Sequence, residues 1–287
     1  MERRPGKLAI EKRILNSRWK ETGLQEIKAS YGLVERNFNL VKRYIGWEVV
    51  FLFYAVVNTL TIGFIGVDRG GGGGERVLYL VAGALLWGFL SILFHEVSES
   101  VAWERWEGTI EYTFMAPIRR LTYLGGVCLW ATIYGAIRTI IVMIVVASFF
   151  DLDLSRSNLA GAFVVLLVSS VSFIGLGLVA AVLPLLSPER GAQATHIMEG
   201  VILLVSGVYY DVTVMPRWIQ PLAVLSPATY TLRAARAALL HGAPTRALVP
   251  ELLILLAIGA VCVPLGLIVF NWGETYAMRV GRLKRSG

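Results

Sequence analysis

Residues 47–67 read WEVVFLFYAVVNTLTIGFIGV, and this stretch decides in which solvent the chain folds. Only Glu48 and Asn58 interrupt its apolar run. A helix needs roughly 20 mostly apolar residues to cross the hydrocarbon core of a bilayer. The stretch therefore predicts a membrane-spanning helix.

The composition of the whole chain agrees with that prediction. Hydrophobic residues make up 56% of the 287 residues, charged residues make up 16%, and the mean hydropathy is +0.64. A soluble domain carries about 25% charged residues because its surface must face water. The composition argues against a soluble enzyme and indicates an integral membrane protein.

Five further apolar stretches bring the predicted number of spans to six. They lie at 77–95, 123–150, 159–186, 197–210 and 247–271. The stretch at 197–210 is short for a span unless it begins near residue 192, and the Ser and Gly residues of 159–186 favour close helix packing. The predicted fold is an all-α membrane protein with six transmembrane helices.

Basic residues are distributed unequally between the two sides of these spans. One side, which includes both termini, holds 19 Lys and Arg residues, and the other holds 7. Because Lys and Arg concentrate on the cytoplasmic side, we expect both termini in the cytoplasm and the protein in the plasma (inner) membrane. The net charge of +7 then reflects contact with membrane lipids and not with nucleic acid.

The predicted domain organisation has three parts. A basic N-terminal segment covers 1–46, the six-span domain covers 47–271, and a basic tail covers 272–287. Within the first part, apolar residues recur at helical spacing at Val34, Phe38, Val41 and Ile45. This pattern is typical of an amphipathic helix in the headgroup region of a leaflet. A cytoplasmic helix docked on the protein itself is the alternative.

The segment from Asp211 to Gly242 has an unusual composition. Pro216, Pro221 and Pro227 prevent one long helix, yet the segment is too apolar for a loop that faces water. Irregular backbone at membrane depth must be buried in protein or line water. The segment therefore predicts short helices that dip into the outer leaflet or cap a cavity, before the last span.

The sequence offers little for catalysis. His95-Glu96 begins like a zinc-binding helix, but Glu99 stands where the second histidine is needed. The three histidines fall in different parts of the chain, and no Gly-Lys-Ser/Thr phosphate loop or Gly-x-Ser-x-Gly nucleophile turn is present. We predict no catalytic residue, no metal site and no cofactor bound by this chain.

Residues 96–120, here called the acidic segment, connect the second and third predicted spans. The segment holds five glutamates, and Glu104, Glu107 and Glu111 would share one face of a helix from about residue 100 to residue 115. Aromatic residues stand among them, at Trp103, Trp106, Tyr112 and Phe114. Aromatic anchors beside charges favour a protein interface over a solvated surface.

Two stretches carry a resemblance to a known family. Residues 106–117, WEGTIEYTFMAP, resemble the Glu-Gly-Thr-Leu-Glu…Pro segment that follows the second span of ABC-2 type permeases, the membrane subunits of ATP-binding cassette exporters. Residues 206–230, SGVYYDVTVMPRWIQPLAVLSPATY, are similar to the segment after the fifth span of that family. The resemblance implies that Asp211 to Gly242 forms the re-entrant external helices of that family, before the last span. It covers residues from about 31 to 272.

The resemblance implies partners and a mechanism. Such a permease pairs with a second copy or a similar subunit, and each subunit sits on a cytoplasmic ATPase that holds ATP and Mg²⁺. Cargo leaves by ATP-driven alternating access. The acidic segment would be the coupling helix that contacts this ATPase, through Glu104, Glu107, Gly108, Thr109 and Glu111. The absence of a phosphate loop agrees with an ATPase on a separate subunit.

Two charged residues lie within predicted spans. Arg138 is near the middle of the third span, where a cation must pair or face water. It would either line the translocation path and attract an anionic group of the cargo, or form an ion pair inside the bundle. Glu199 of the fifth span is the candidate partner for such a pair.

The mostly apolar spans favour a hydrophobic or amphipathic cargo, such as a drug, a lipid or a natural product. A polysaccharide or lipid-linked glycan exporter of the same family is the alternative. From other classes, an ion-coupled secondary transporter would show carboxylates near the membrane midplane, and a lipid-modifying enzyme would show clustered acids or histidines. Both would be active without a partner.

Overall fold

The computed structural model describes residues 6–67, 73–115 and 119–280 of the chain. These residues form eleven α-helices: α1 Gly6–Arg43, α2 Ile45–Gly66, α3 Gly73–Glu107, α4 Ile110–Met115, α5 Arg120–Phe149, α6 Leu159–Ala180, α7 Val182–Leu186, α8 Pro188–Val205, α9 Gln220–Leu225, α10 Pro227–His241 and α11 Val249–Arg279. Two short 3-10 helices cover Val212–Val214 and Thr245–Leu248, and these described ranges contain no β-strand. The prediction of an all-α membrane protein is confirmed.

Among the described residues, five helical segments are long and apolar enough to cross a membrane. They are α2, α3, α5, the continuous pair α6–α7, and α11 with the turn before it. The fifth predicted span corresponds to α8, in which 193–205 form a shorter apolar helix. The 18 residues of α8 extend about 27 Å at a rise of about 1.5 Å per residue, slightly less than the hydrocarbon core of about 30 Å.

Several helices extend beyond the predicted boundaries. The second predicted span ended at residue 95, but α3 continues to Glu107 as a single helix of 35 residues. The boundary predicted after residue 271 falls inside α11, where Gly273, Glu274 and Ala277 are buried. Residues 281–287 of the predicted tail lie outside the described residues. The boundary between 46 and 47 falls inside α2.

Helices α6 and α11 form a close contact, here called the glycine seam. A Cβ on Gly175 would lie 2.6 Å from the carbonyl carbon of Cys262, and one on Gly266 would lie 2.6 Å from the carbonyl oxygen of Gly175. The Ser172 hydroxyl donates a hydrogen bond across the seam to the Leu255 carbonyl at 2.7 Å. Small residues let the two backbones approach, so the predicted close packing is confirmed.

The segment after α8 is broken into short helices, as its prolines predict. Pro221 and Pro227 stand in the first turns of α9 and α10, where a missing N–H removes no helical hydrogen bond. Helix α10 buries an alanine-rich face against α3, α6 and α11. Arg236 on α10 stacks on the Tyr79 ring of α3 at 3.6 Å and donates to the Gly207 carbonyl at 3.1 Å.

Helix α1 packs along α5. The Ser30 hydroxyl donates to the Thr122 carbonyl at 3.2 Å, and Leu33 contacts Gly126 one turn further along both helices. The apolar stripe at 34, 38, 41 and 45 lies on the side turned towards α5. Helix α1 therefore packs against α5, and both its predicted place in the headgroup region and the alternative of a cytoplasmic docked helix stay predictions.

Candidate functional site

The acidic segment is not a single helix. Helix α3 ends at Glu107, and Gly108 adopts the left-handed conformation with a φ of +75°. The Thr109 N–H donates to the Glu104 carbonyl at 2.9 Å and closes the end of α3, and α4 begins at Ile110. Glycine is the residue that adopts this conformation at little cost, so Gly108 sets the break. Pro117, near which the predicted helix stopped, lies outside the described residues.

Glu104 does not share a surface with the other two glutamates. Its side chain is only 6% exposed and forms an ion pair with Arg36 of α1, at 3.1 Å from Nη1 to Oε1. The predicted face of Glu104, Glu107 and Glu111 is therefore wrong for Glu104. The reason is that Glu104 belongs to the last turn of α3, where its side chain faces Arg36 of α1, whereas Glu111 lies beyond the break.

Beyond Glu104, the segment presents acidic and aromatic side chains to the outside. Glu107, Thr109 and Glu111 are exposed, and Gly108 is half-buried. Trp103, Trp106 and Tyr112 are exposed by 60%, 69% and 73%. We name the exposed set of Trp103, Trp106, Glu107, Glu111 and Tyr112 the acidic–aromatic surface. Exposed tryptophans beside carboxylates are typical of a surface that another protein covers.

Charged contacts tie the neighbouring helices together at this end of the bundle. Arg120 at the start of α5 pairs with the buried Glu274 of α11 at 2.8 Å. Arg119 lies 3.6 Å from Glu26 of α1, and the Thr122 hydroxyl donates to the same carboxylate. Together with the pair of Arg36 and Glu104, these contacts link α1, α3, α5 and α11 beside the acidic–aromatic surface.

A cavity of about 450 Å³ opens between α1, α2 and α5. Its walls are largely apolar and include Trp130 and Ile137 of α5. The polar side chains of the lining include two glutamates, two tyrosines and an arginine: Tyr31, Glu35, Glu48, Tyr134 and Arg138. A cavity of this size and lining suits a molecule with a large apolar body and a small polar group.

Arg138 lies in the wall of this cavity. Its guanidinium donates to the Phe51 carbonyl at 2.6 Å and to the Tyr134 hydroxyl at 3.2 Å, and that hydroxyl donates to Glu48 at 2.7 Å. Arg138 is thus hydrogen-bonded inside the bundle and also faces the cavity. The predicted pair with Glu199 is wrong, because Glu199 has other partners.

Glu199 is held by a cluster that the sequence did not indicate. One carboxylate oxygen lies 2.6 Å from His95 Nε2 and 3.7 Å from His196 Nδ1, and Ser91 donates to the other oxygen. The rings of His95 and His196 are 4.5 Å apart. Two histidines that fall in different parts of the chain, His95 and His196, are thus brought together by the packing of α3 and α8. The spacing of His196 and Glu199, three residues apart on a helix, was the one available signal.

Residues 32–240 match the family model described as ABC-2 type transporter. The match covers well over half of the chain. The chain belongs to the ABC-2 type transporter family. None of the curated proteins compared with the chain matches it.

Membership in the ABC-2 family confirms the resemblance found in the sequence. The chain is a permease subunit of an ABC transporter, and in this family ATP hydrolysis takes place on a separate subunit. The matched residues include the acidic–aromatic surface, the cavity, and the helices up to α10. The match ends before α11 begins.

Proposed function

We propose that this permease exports a hydrophobic or amphipathic compound, such as a drug, a lipid or a natural product. ATP and Mg²⁺ are held by a partner ATPase, and the permease works as a dimer with a second copy or a similar subunit. The 19 Lys and Arg residues on one side against 7 on the other support an orientation with both termini in the cytoplasm. In that orientation the acidic–aromatic surface faces the ATPase.

The observation that carries the proposal is the acidic–aromatic surface. Large aromatic side chains that are exposed to solvent lose little favourable hydration when a partner covers them. In protein interfaces such residues supply much of the binding free energy. The flanking carboxylates of Glu107 and Glu111 add charge that fixes the register of a basic partner. This surface is therefore the proposed coupling site, together with Gly108 and Thr109.

The position of the surface explains how it moves the spans. Because α3 is one continuous helix of 35 residues, a displacement at Glu107 acts on the same rigid element that lies in the bundle. The ion pair of Glu104 with Arg36 passes that displacement to α1, and the pair of Arg120 with Glu274 links α5 to α11. Glu104 thus acts within the permease, while Glu107 and Glu111 meet the partner.

The cavity supports the proposed cargo. Its apolar walls provide dispersion contacts for a hydrophobic body, and Arg138 offers a fixed cation for a polar or anionic group. Two N–H groups of the guanidinium donate hydrogen bonds to the Phe51 carbonyl and the Tyr134 hydroxyl. These bonds hold the Arg138 side chain in a fixed position in the cavity wall. We assign Arg138 to orientation of the cargo at the start of its path.

Charge reversal at the acidic–aromatic surface tests the proposal. In vesicles that contain the whole transporter, Glu107→Lys should lower transport at least about tenfold, which corresponds to about 1.4 kcal/mol at the interface. ATP hydrolysis should continue, because the ATPase itself is unchanged. Glu75→Lys is the matched control, since Glu75 is an exposed glutamate in the first turn of α3, at its opposite end. Unchanged transport by a correctly folded Glu107→Lys permease would contradict the coupling role.

A further inference from the structure

Two spans meet at a group of side chains that the proposed function does not use. His95 lies on α3, and His196 and Glu199 lie on α8; we call these three residues the histidine cluster. Each offers one nitrogen or oxygen atom, and the three atoms lie within 4.8 Å of one another. His95 stands directly before the acidic segment in the chain, and His196 and Glu199 lie near the middle of α8.

The types of atom decide what such a cluster binds. Two imidazole nitrogens and one carboxylate oxygen are a ligand set that Zn²⁺ accepts, as in metal sites built from two histidines and a glutamate. In a tetrahedral zinc site neighbouring ligand atoms are about 3.3 Å apart, since zinc–nitrogen bonds are about 2.0–2.1 Å long. His95 Nε2 and His196 Nδ1 already lie 2.6 Å and 3.7 Å from the same Glu199 oxygen.

The surroundings of Glu199 orient it towards the two rings. The Ser91 hydroxyl donates to the carboxylate oxygen that does not face His95, so the other oxygen remains turned towards the cluster. Hydrogen bonds of this kind, to the outer side of a ligand, hold metal ligands in place. One turn further along both helices the Ser98 and Thr195 hydroxyls lie 3.1 Å apart and fasten α3 to α8.

The exposure of the cluster leaves room for a fourth ligand. The side chain of His196 is 62% exposed, whereas those of His95 and Glu199 are 16% and 17% exposed. An ion that enters from the side of His196 would contact all three residues and keep one position for water. Three protein ligands and one water complete a tetrahedral zinc site.

We propose that the histidine cluster is a Zn²⁺ site that joins α3 to α8. The site does not depend on the proposed cargo or on the coupling role of the acidic–aromatic surface. A bound ion replaces the hydrogen bond of His95 to Glu199 with three metal–ligand bonds. It thereby fixes the distance between the two helices near the acidic segment.

Metal binding by the purified full-length chain tests the site without a transport assay. After removal of metals with a chelator, the protein in lipid nanodiscs is titrated with Zn²⁺, and with Co²⁺ as an absorbing probe of coordination geometry. We expect about one ion per chain and the visible absorption of tetrahedral Co²⁺. His196→Ala should weaken Zn²⁺ binding at least about tenfold, since it removes one of three ligands.

Two further variants keep the test decisive. His241→Ala is the matched control, because His241 is an exposed histidine at the end of α10 and belongs to another part of the chain, and it should bind Zn²⁺ as the unmodified protein does. Glu199→Gln should weaken binding as His196→Ala does. The proposal is overturned if the unmodified chain takes up no Zn²⁺. It is equally overturned if folded His196→Ala and Glu199→Gln bind as tightly as the control.

Discussion

Two contacts between helices in this permease are built in opposite ways. The glycine seam between α6 and α11 leaves no space for a Cβ at Gly175 or Gly266. Between α5 and the pair α1–α2, by contrast, a cavity of about 450 Å³ opens, and large side chains such as Trp130 and Tyr134 line it. One contact is closed by small residues, and the other is held open by large ones.

The difference reflects what can hold helices together in lipid. Apolar side chains gain no hydrophobic stabilisation when they leave lipid tails for a neighbouring helix, so close packing and hydrogen bonds decide the contact. The glycine seam uses both, through Gly175 and the Ser172 hydrogen bond. The helices that line the cavity make fewer packing contacts with one another, and a ligand that enters the cavity would replace the missing contacts. The seam therefore supports the bundle, and we propose that the cavity serves the cargo.

The largest effect is expected from a methyl group in the glycine seam. Gly175→Ala places a Cβ 2.6 Å from two atoms of Cys262, and the helices must move apart, at a cost of about 1–3 kcal/mol or more. The melting temperature of the purified protein in detergent should fall clearly. Gly125→Ala is the matched control on α5, where alanine has space and should leave the melting temperature unchanged or raise it slightly. Equal melting temperatures for the two variants would show that the packing of α6 on α11 does not depend on the absence of a side chain at Gly175.

A smaller effect on stability, but a large one on transport, is expected in the cavity. Ile137→Trp adds volume where space exists, so we expect the free energy of unfolding to change by less than about 0.5 kcal/mol. Transport should fall roughly tenfold because the indole occupies the site of the cargo. Ile144→Trp, about two turns further along α5 and similarly exposed, does not line the cavity and should transport normally. Equal transport by both variants would show that cargo does not use this cavity.

The spans were predictable because hydropathy is a local property. The stretch at 47–67 predicted α2 to within two residues at its start, and the prolines at 216, 221 and 227 predicted the short helices before α11. The extents of α3 and α11 were underestimated, because each continues as a helix beyond its apolar part. In α11 the buried Gly273 and Ala277, four residues apart, were a signal that the helix continues.

Contacts between helices were harder to predict, because they depend on how each helix is rotated. Glu104 was assigned to one partner-facing row with Glu107 and Glu111, yet it faces Arg36, which is 68 residues earlier in the chain. Glu199 was paired with Arg138, yet its partner His95 is 104 residues away on α3. The amino-acid composition of a helix does not determine which other helices it contacts. The left-handed conformation of Gly108 depends on the local sequence instead, since a helix commonly ends at a glycine that follows a run of helical residues.

The central claim is that this permease is driven by a separate ATPase that binds its acidic–aromatic surface. The most direct test is purification of the chain from its own membrane in mild detergent, followed by mass spectrometry of the proteins that accompany it. We expect a soluble protein with ATP-binding motifs in near-equal amount. If the chain came out alone in repeated preparations and still transported cargo without ATP, the claim would be contradicted, and an ion-coupled transporter would explain the protein better.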